Sequence, residues 1–414
     1  MPTTQRTSIN QGETTHATVD ELETLATRRS RSMFETDIGA NSSELAEAIG
    51  HSSILILGGA GSIGQEVTKL ILRYHPRRVV LCDPNENNLV ELTRDLRSSV
   101  CSVPSEFLAL PIGMGSHSFS RFLNESKPFD FLLNFAALKH VRSEKCIHSI
   151  IQMIDVNVLF LSDIMETHGG HLKSVFSVSS DKAVNPSSFL GASKQAMELC
   201  LFSTNHPINV STSRFANVAF SDGSLLFGFL RRIQKRQPIA APTDIRRFFL
   251  SHREAGELSV LAAFLGRKEI FIPRLHRATH ERVFADIAAD LLDHLGWTPY
   301  ACDSESEAVA RFDELTQAGK WPCFFSASTT FGEKPFEEFS LSDETVVSDR
   351  FSKVGVIPGA IDAATRLGFQ NFVSFAKRAR TDLTVGKQEY SQALADLVRG
   401  FSHRNSRLSL DTQM

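Results

Sequence analysis

A serine, a carboxylate and an amine stand next to one another at the end of an apolar run, as Ser180, Asp181 and Lys182. Side by side, these groups can provide hydrogen bonding, proton donation and proton removal within a few ångströms. The sequence therefore predicts acid–base chemistry at this point. Structural interpretations stay open beside it: Asp181 and Lys182 could form a surface ion pair, and Ser180 could bond its own backbone.

A glycine pattern earlier in the chain predicts a phosphate-binding turn. In ILILGGAGSIGQEV, Gly58, Gly61 and Gly64 directly follow an apolar run and open a helical segment. Glycines let the backbone turn tightly and approach a pyrophosphate at the positive end of the helix, with Ser62 and Ile63 in the same turn. A plain turn is the alternative for this pattern taken alone.

Asp83 strengthens the prediction of a dinucleotide site. It ends the next apolar run, RVVLC (78–82), where a carboxylate can accept hydrogen bonds from both hydroxyls of an adenosine ribose. The same charge would repel a 2′-phosphate, so NAD is the expected cofactor and NADP is less favoured. The alternative for Asp83 is a cap for the helix that begins near Asn85.

The elements around these residues indicate an α/β fold. Apolar runs alternate with helical periods from residue 54 to residue 202, which predicts a Rossmann-type doubly wound parallel sheet with right-handed crossovers. After Pro238 the alternation becomes irregular, which predicts a smaller C-terminal substrate-binding lobe with strands at 246–250 and 269–272. The expected regions are an N-terminal arm with short helices (1–50), an NAD-binding domain (51–240), a substrate lobe (241–343) and a C-terminal extension (344–414).

Composition narrows the classes of partner. The net charge of −3, with 42% hydrophobic and 22% charged residues, gives no general attraction to nucleic acid or to an anionic membrane. No run approaches the roughly 18 apolar residues of a membrane span, and the first residues lack the apolar part of a signal peptide. Six cysteines lie far apart without a CxxC pair. We expect a cytoplasmic protein with no membrane span and no metal site.

Several sequence blocks in this order resemble the UDP-N-acetylglucosamine 4,6-dehydratases of polysaccharide and nonulosonic-acid biosynthesis, in the extended short-chain dehydrogenase/reductase superfamily. The resemblance covers about residues 35–340. It rests on GGAGSIG (58–64), LCDPNENN (81–88), AALKHVRSE (136–144), SSDKAVNP (179–186), GASK (191–194), RFANVAFSDGS (214–224) and DIRRFF (244–249).

The resemblance implies a reaction and a set of roles. UDP-N-acetylglucosamine would be converted to a UDP-4-keto-6-deoxy-hexosamine through transient reduction of NAD, for surface polysaccharide or nonulosonic acid. Asp181 would protonate the departing 6-hydroxyl, and Lys182, with its pKa lowered by apolar surroundings and nearby positive charge, would remove the C5 proton. Lys194 would be both catalytic and cofactor-binding. The family further implies Ala136 at the cofactor and, at the substrate, Lys139, Asn217 and Arg247.

The sequence departs from the family at Leu190, four residues before Lys194, where relatives carry tyrosine or methionine. Hydrocarbon cannot accept the proton of the sugar 4-hydroxyl. Ser180, backed by Asp181 or by water near Lys194, is the expected substitute. Two other functions stay open, a nucleotide-sugar 4-epimerase and a non-catalytic protein that binds NAD and a sugar nucleotide.

The superfamily resemblance also implies a homo-oligomer. Helices expected over 147–166 and 188–202 correspond to those that pack between subunits in this superfamily. Their apolar residues exceed what one face of a sheet needs; they include Ile150, Ile154, Val158 and Leu199.

Overall fold

The computed structural model describes residues 17–99, 102–139, 144, 146–328 and 336–401. Residues 1–16 of the expected N-terminal arm lie outside the described residues, and so do residues 140–143 of the AALKHVRSE block.

The strands are β1 (Ser53–Leu57), β2 (Arg78–Cys82), β3 (Glu106–Leu110), β4 (Phe131–Asn134), β5 (Ser174–Ser180), β6 (Asn209–Phe215), β7 (Asn217–Val218), β8 (Ile239–Pro242), β9 (Arg246–Leu250), β10 (Glu269–Pro273), β11 (Glu281–Val283), β12 (Thr298–Ala301), β13 (Lys320–Ser326) and β14 (Val354–Pro358).

The α-helices are α1 (Val19–Thr27), α2 (Glu35–Ala40), α3 (Ser42–Ile49), α4 (Ser62–Leu72), α5 (Glu86–Ser98), α6 (His117–Glu125), α7 (Ile147–Ile154), α8 (Phe160–His168), α9 (Phe189–Phe202), α10 (Leu225–Gln234), α11 (His252–Leu265), α12 (Arg277–His280), α13 (Phe284–His294), α14 (Glu305–Ala310), α15 (Phe312–Gln317), α16 (Ala363–Ala379) and α17 (Lys387–Leu397).

The central sheet has eight strands in the order β14-β10-β6-β5-β4-β1-β2-β3. Its neighbours pair in parallel, except that β14 runs antiparallel to β10. The arrangement of β1 to β6 is the strand order of the Rossmann fold. The predicted fold class is therefore confirmed.

Helices on both faces of this sheet explain why its inner strands are apolar along their whole length. Every residue of β1 and β2 is buried, as expected for parallel strands covered on two sides. One apolar cluster joins the sheet to α7, α8, α9, α16 and α17, and a second joins it to α4 and α11.

Two smaller sheets lie beside the central one, with strand orders β11-β9-β7 and β12-β13-β8. Their own apolar cluster is built around Phe249, Phe284 and Trp321. The strand expected in this lobe at 269–272 instead pairs with β6 in the central sheet, as β10. β14, from the C-terminal extension, completes the same edge. After residue 240 the chain returns to the central sheet as β10, and after residue 343 it returns as β14. The expected domain boundaries at these two residues therefore stay a prediction.

The long helix expected over 147–166 forms as α7, a π-helical turn (Asp155–Leu159) and α8. Its residues Ile150, Ile154 and Val158 are fully buried. The C-terminal helices α16 and α17 cover α7 and α9 within the same chain. Packing within the chain therefore explains why these helices carry more apolar residues than one face of a sheet needs. The homo-oligomer stays a prediction, and these residues no longer support it.

In the part of the chain that the structure describes, one helical stretch, Ile147–His171, is long and apolar enough to cross a membrane. A core helix of a soluble protein passes the same test. Two aspartates on this stretch form ion pairs with the end of α16: Asp155 with Arg380 at 2.9 Å and Asp163 with Lys377 at 2.7 Å. The expected absence of a membrane span stays a prediction.

Candidate functional site

The turn between β1 and α4 has the geometry that the glycine pattern predicts. Gly58 has a φ of +70°, and a Cβ there would lie 2.5 Å from the backbone nitrogen of Ala136. A Cβ on Gly64 would lie 2.4 Å from the carbonyl oxygen of Gly58. Side chains at these two positions would push the loop away from β4 and from α4. Apart from the two chain neighbours, Gly58 O, at 3.4 Å, is the one atom of the described residues that lies within 4 Å of a Cβ placed on Gly61, so the turn is open at the start of the helix.

Asp83 lies at the end of β2 beside this turn and is buried. Its Oδ2 accepts a hydrogen bond from Ala60 N at 3.1 Å, and its Oδ1 accepts one from Asn85 N at 2.9 Å. The cap of α5 is Asn85, whose own Oδ1 accepts a hydrogen bond from Asn88 N at 3.1 Å, so Asp83 holds the cap residue and is not the cap itself. A carboxylate offers about four lone-pair positions, so each oxygen can accept one more bond. The open turn, the helix start and this carboxylate together fit a dinucleotide.

The proposed catalytic residues lie at the carboxyl end of β5. Ser180 ends the strand, and its Oγ accepts a hydrogen bond from Lys182 N at 3.2 Å. The backbone-bonding interpretation of Ser180 is thus observed, although a hydroxyl that accepts one bond can still donate its own proton. Lys182 Nζ donates to Asp181 Oδ1 at 3.2 Å. Asp181 is buried, whereas the Lys182 side chain is 41% exposed.

The prediction that the residues around Lys182 lower its pKa is wrong. Burial alone would lower the pKa of its ammonium, but Asp181 and Glu337 outweigh burial and raise that pKa. We expected apolar surroundings, together with the positive charge of Lys194 or of the nicotinamide, to lower this pKa. The physical reason for the difference is that two carboxylates stand near Lys182, one of them absent from the sequence argument.

Lys194 does have a lowered pKa. It is buried in α9, and its Nζ donates to Val178 O at 2.9 Å. Burial lowers its pKa to about 8, with Lys139 acting in the same direction and Glu198 opposing. Leu190, on the same helix, is 3% exposed and belongs to the apolar core, while its N–H donates to Glu144 Oε1 at 3.0 Å.

Two of the three expected substrate residues lie together. Asn217 is in β7 and Arg247 is in β9, and these strands pair in parallel. Both contact the carboxylate of Glu337: Asn217 Nδ2 donates to its Oε1 at 2.5 Å, and Arg247 Nε lies 3.7 Å from the same oxygen. Lys139 is exposed after β4, near enough to Lys194 to affect its pKa.

Glu337 is the site residue that the sequence did not reveal. It is buried, and its Oε2 accepts a hydrogen bond from Phe248 N at 2.7 Å. Burial raises its pKa to about 8, Asp181 adds to the increase, and Lys182 and Arg247 oppose it. In the sequence KPFEEF it is one of two adjacent glutamates in an aromatic, loop-like stretch, and no local signal distinguishes it from its neighbour.

A buried network of ion pairs around Arg214 lies next to the candidate site. Arg214 in β6 is 1% exposed and pairs with Glu198 of α9 at 2.8 Å and with Glu344 at 2.6 Å. It also donates to Phe339 O at 3.0 Å. The network therefore joins the helix that carries Lys194 to the segment that carries Glu337.

A family model described as polysaccharide biosynthesis protein matches residues 54–357. An uncharacterized membrane protein of Methanocaldococcus jannaschii is 29% identical over 300 residues, which cover 70% of this chain and 81% of that protein. A UDP-N-acetylglucosamine 4,6-dehydratase (inverting) of Campylobacter jejuni is 28% identical over 234 residues, 54% of this chain and 67% of that enzyme.

Among solved structures, Pen from Bacillus thuringiensis has a TM-score of 0.61 at 19% identity, covering 80% of this chain and 98% of that one. This likeness supports the fold. The family match covers most of the chain and includes the glycine turn, the end of β5 and Arg247. The chain belongs to the family described as polysaccharide biosynthesis protein, and it is similar to a UDP-N-acetylglucosamine 4,6-dehydratase.

Proposed function

We propose that this chain is a nucleotide-sugar 4,6-dehydratase that converts UDP-N-acetylglucosamine to a UDP-4-keto-6-deoxy-hexosamine. The observation that carries the proposal is the Asp181–Lys182 pair, 3.2 Å apart at the carboxyl end of β5. Loss of a hydroxyl from C6 needs an acid and a base next to each other, whereas a 4-epimerase needs no acid for a leaving group. The Campylobacter relative, named for this reaction, supports the proposal.

The proposal includes NAD, held by the turn from Gly58 to Gly64, by Asp83 and by the residues facing them. When bound, the cofactor supplies the oxidation of C4 and the later reduction of C6. Of the chain's own residues, Asp83 would orient the adenosine ribose and Lys194 the other end of the cofactor. The residues assigned to cofactor binding are Gly58, Gly61, Ser62, Ile63, Gly64, Asp83, Ala136 and Lys194.

Asp181 and Lys182 would divide the elimination between them. Their contact allows one proton to pass from the ammonium to the carboxylate, which produces a neutral amine and a neutral acid. The amine then takes the C5 proton and the acid protonates the leaving 6-hydroxyl. After water leaves, the pair is again ammonium and carboxylate. The raised pKa of Lys182 is compatible with these roles, because Asp181, the first of the two carboxylates that raise it, is also the group that accepts its proton.

The decisive experiment is to incubate the protein with UDP-N-acetylglucosamine and to follow the product by NMR. A methyl signal from C6 is the expected result. A product that keeps its 6-hydroxyl and is inverted at C4 would indicate an epimerase. Tight cofactor binding without turnover of any nucleotide sugar would indicate a binding protein.

Asp83→Ala should weaken NAD binding about 10- to 100-fold, because hydrogen bonds to a charged group contribute about 1.5–3 kcal/mol. It should also reduce the preference for NAD over NADP, since the charge that repels a 2′-phosphate is gone. Titration of both cofactors measures the two effects. Glu86→Ala, an exposed acid close by in α5, is the control. An unchanged preference in Asp83→Ala would remove Asp83 from the cofactor site.

Ser180→Ala tests whether Ser180 takes the role of the tyrosine that some relatives carry at the position of Leu190. If Ser180 relays the proton of the sugar 4-hydroxyl, its loss should slow oxidation of C4 about 10- to 100-fold, the value of a hydrogen bond to a developing charge. The absorbance of reduced nicotinamide in a single turnover reports this rate. A wild-type rate would show that the base must be sought elsewhere around Leu190.

The expected setting is a cytoplasmic enzyme of surface-polysaccharide or nonulosonic-acid synthesis, acting on a small-molecule nucleotide sugar and forming a homo-oligomer. The Methanocaldococcus relative is named a membrane protein. Fractionation of cells that express the chain, followed by sedimentation of the purified protein, tests location and assembly together.

A further inference from the structure

Glu337 places a carboxylate inside the proposed substrate site. Its two oxygens accept hydrogen bonds from Asn217 Nδ2 at 2.5 Å and from Phe248 N at 2.7 Å. The guanidinium of Arg247 lies 3.7 Å away, and the Glu337 side chain is only 2% exposed. Two of these three contacts come from residues assigned to substrate binding.

This position is fixed by contacts on the same segment. Two residues further on, the carbonyl of Phe339 accepts a hydrogen bond from Arg214, and the Phe339 ring lies 5.7 Å from that of Phe248. Glu344 pairs with the same arginine at 2.6 Å. Glu337 is therefore held against β9 by its neighbours as well as by its own hydrogen bonds.

An amide, a backbone N–H and a guanidinium around one carboxylate form a set of donors that also suits phosphate oxygens. We infer that Glu337 competes with the diphosphate of the substrate for Asn217 and Arg247. The inference rests on the proposed function, because that proposal makes these two residues substrate ligands. It identifies the ligand that displaces Glu337 as a nucleoside diphosphate group.

The competition depends on the charge of Glu337. Burial and Asp181 raise its pKa to about 8, while Lys182, from the turn after β5, and Arg247, from β9, oppose the increase. Above that pKa the carboxylate is ionised and holds the two donors. Below it the group is neutral and releases them more easily. Binding of a diphosphate should therefore weaken as the pH rises through about 8.

The test is calorimetric binding of UDP to the NAD-loaded protein at about pH 7 and about pH 9, above the pKa of about 6 of a terminal phosphate. Wild-type affinity should fall about tenfold between these values, the ratio expected for a group that ionises midway. Glu337→Gln keeps the size of the side chain and removes the charge. Its affinity should not show the fall that ionisation of Glu337 causes in wild type and should exceed the wild-type affinity about tenfold at pH 9.

Glu338→Gln is the matched control, because it removes the same charge from the neighbouring residue, whose carboxylate contacts Asn185 at 3.3 Å. It should behave like wild type. The pKa of Lys194 is also about 8, but that group titrates in all three proteins and cancels in the comparison. Uridine, which carries no phosphate, gives a second measurement on wild type alone. The ratio of UDP to uridine affinity should fall with pH.

The inference is overturned if Glu337→Gln keeps the wild-type pH dependence or binds UDP more weakly, or if the three proteins do not bind UDP. A constant UDP-to-uridine ratio in wild type would overturn it even if the variant folded poorly. The proposed function fails separately, if wild type forms no 6-deoxy product from UDP-N-acetylglucosamine while the effect of Glu337 on UDP binding persists.

Discussion

Asp181→Asn should slow loss of the 6-hydroxyl by about 10²–10⁴, the usual contribution of a positioned acid, since the amide keeps the shape but has no proton to give. Lys182→Met should stop elimination more completely, because the proton on C5 then has no base. Both rates are measured by the growth of the C6 methyl signal from UDP-N-acetylglucosamine.

Exchange with deuterium from the solvent at C5 separates the two roles. In Asp181→Asn the amine remains, and one of the two carboxylates that raise the pKa of Lys182 is gone. Deuterium should therefore enter C5 of recovered substrate faster than the hydroxyl is lost. In Lys182→Met neither event should occur. Equal C5 exchange in Lys182→Met and wild type would show that another group is the base.

The local chemistry of the site could be predicted because it depends on residues close in sequence. The turn at Gly58 requires a residue that tolerates a positive φ, and the apolar run before it requires a buried strand; both are readable from one short segment. The same is true of Ser180, Asp181 and Lys182, which the end of a single strand brings together.

What could not be predicted depends on contacts between distant parts of the chain. The run EIFI has the same pattern whether it pairs in a small lobe or, as β10, beside β6 in the central sheet. Glu337 stands in an aromatic, loop-like sequence, and its contacts are with Asn217 and Phe248, 120 and 89 residues away. The pKa of Lys182 could not be predicted for the same reason, since one of the two carboxylates that raise it, Glu337, is brought in by that loop.

Arg214→Met should destabilise the protein by about 3–5 kcal/mol, the cost of removing one partner from a buried ion pair. Burial alone would lower the pKa of this guanidinium, but Glu198 and Glu344 outweigh burial and raise it, so the charge is held in place. Without it, Glu198, whose side chain is 4% exposed, keeps a buried charge with no counter-ion on β6. Urea unfolding measures the loss.

Arg311→Met is a matched control, because Arg311 also pairs with two glutamates, Glu307 at 2.9 Å and Glu314 at 3.1 Å, but its side chain is 32% exposed. Exposed pairs contribute about 0–1 kcal/mol, so this variant should remain close to wild type. Adding Glu198→Gln to Arg214→Met removes the uncompensated charge and should recover part of the stability. If Arg214→Met lowered the free energy of unfolding no more than Arg311→Met, the buried ion pairs of Arg214 would not be what holds α9 to the segment that carries Glu337.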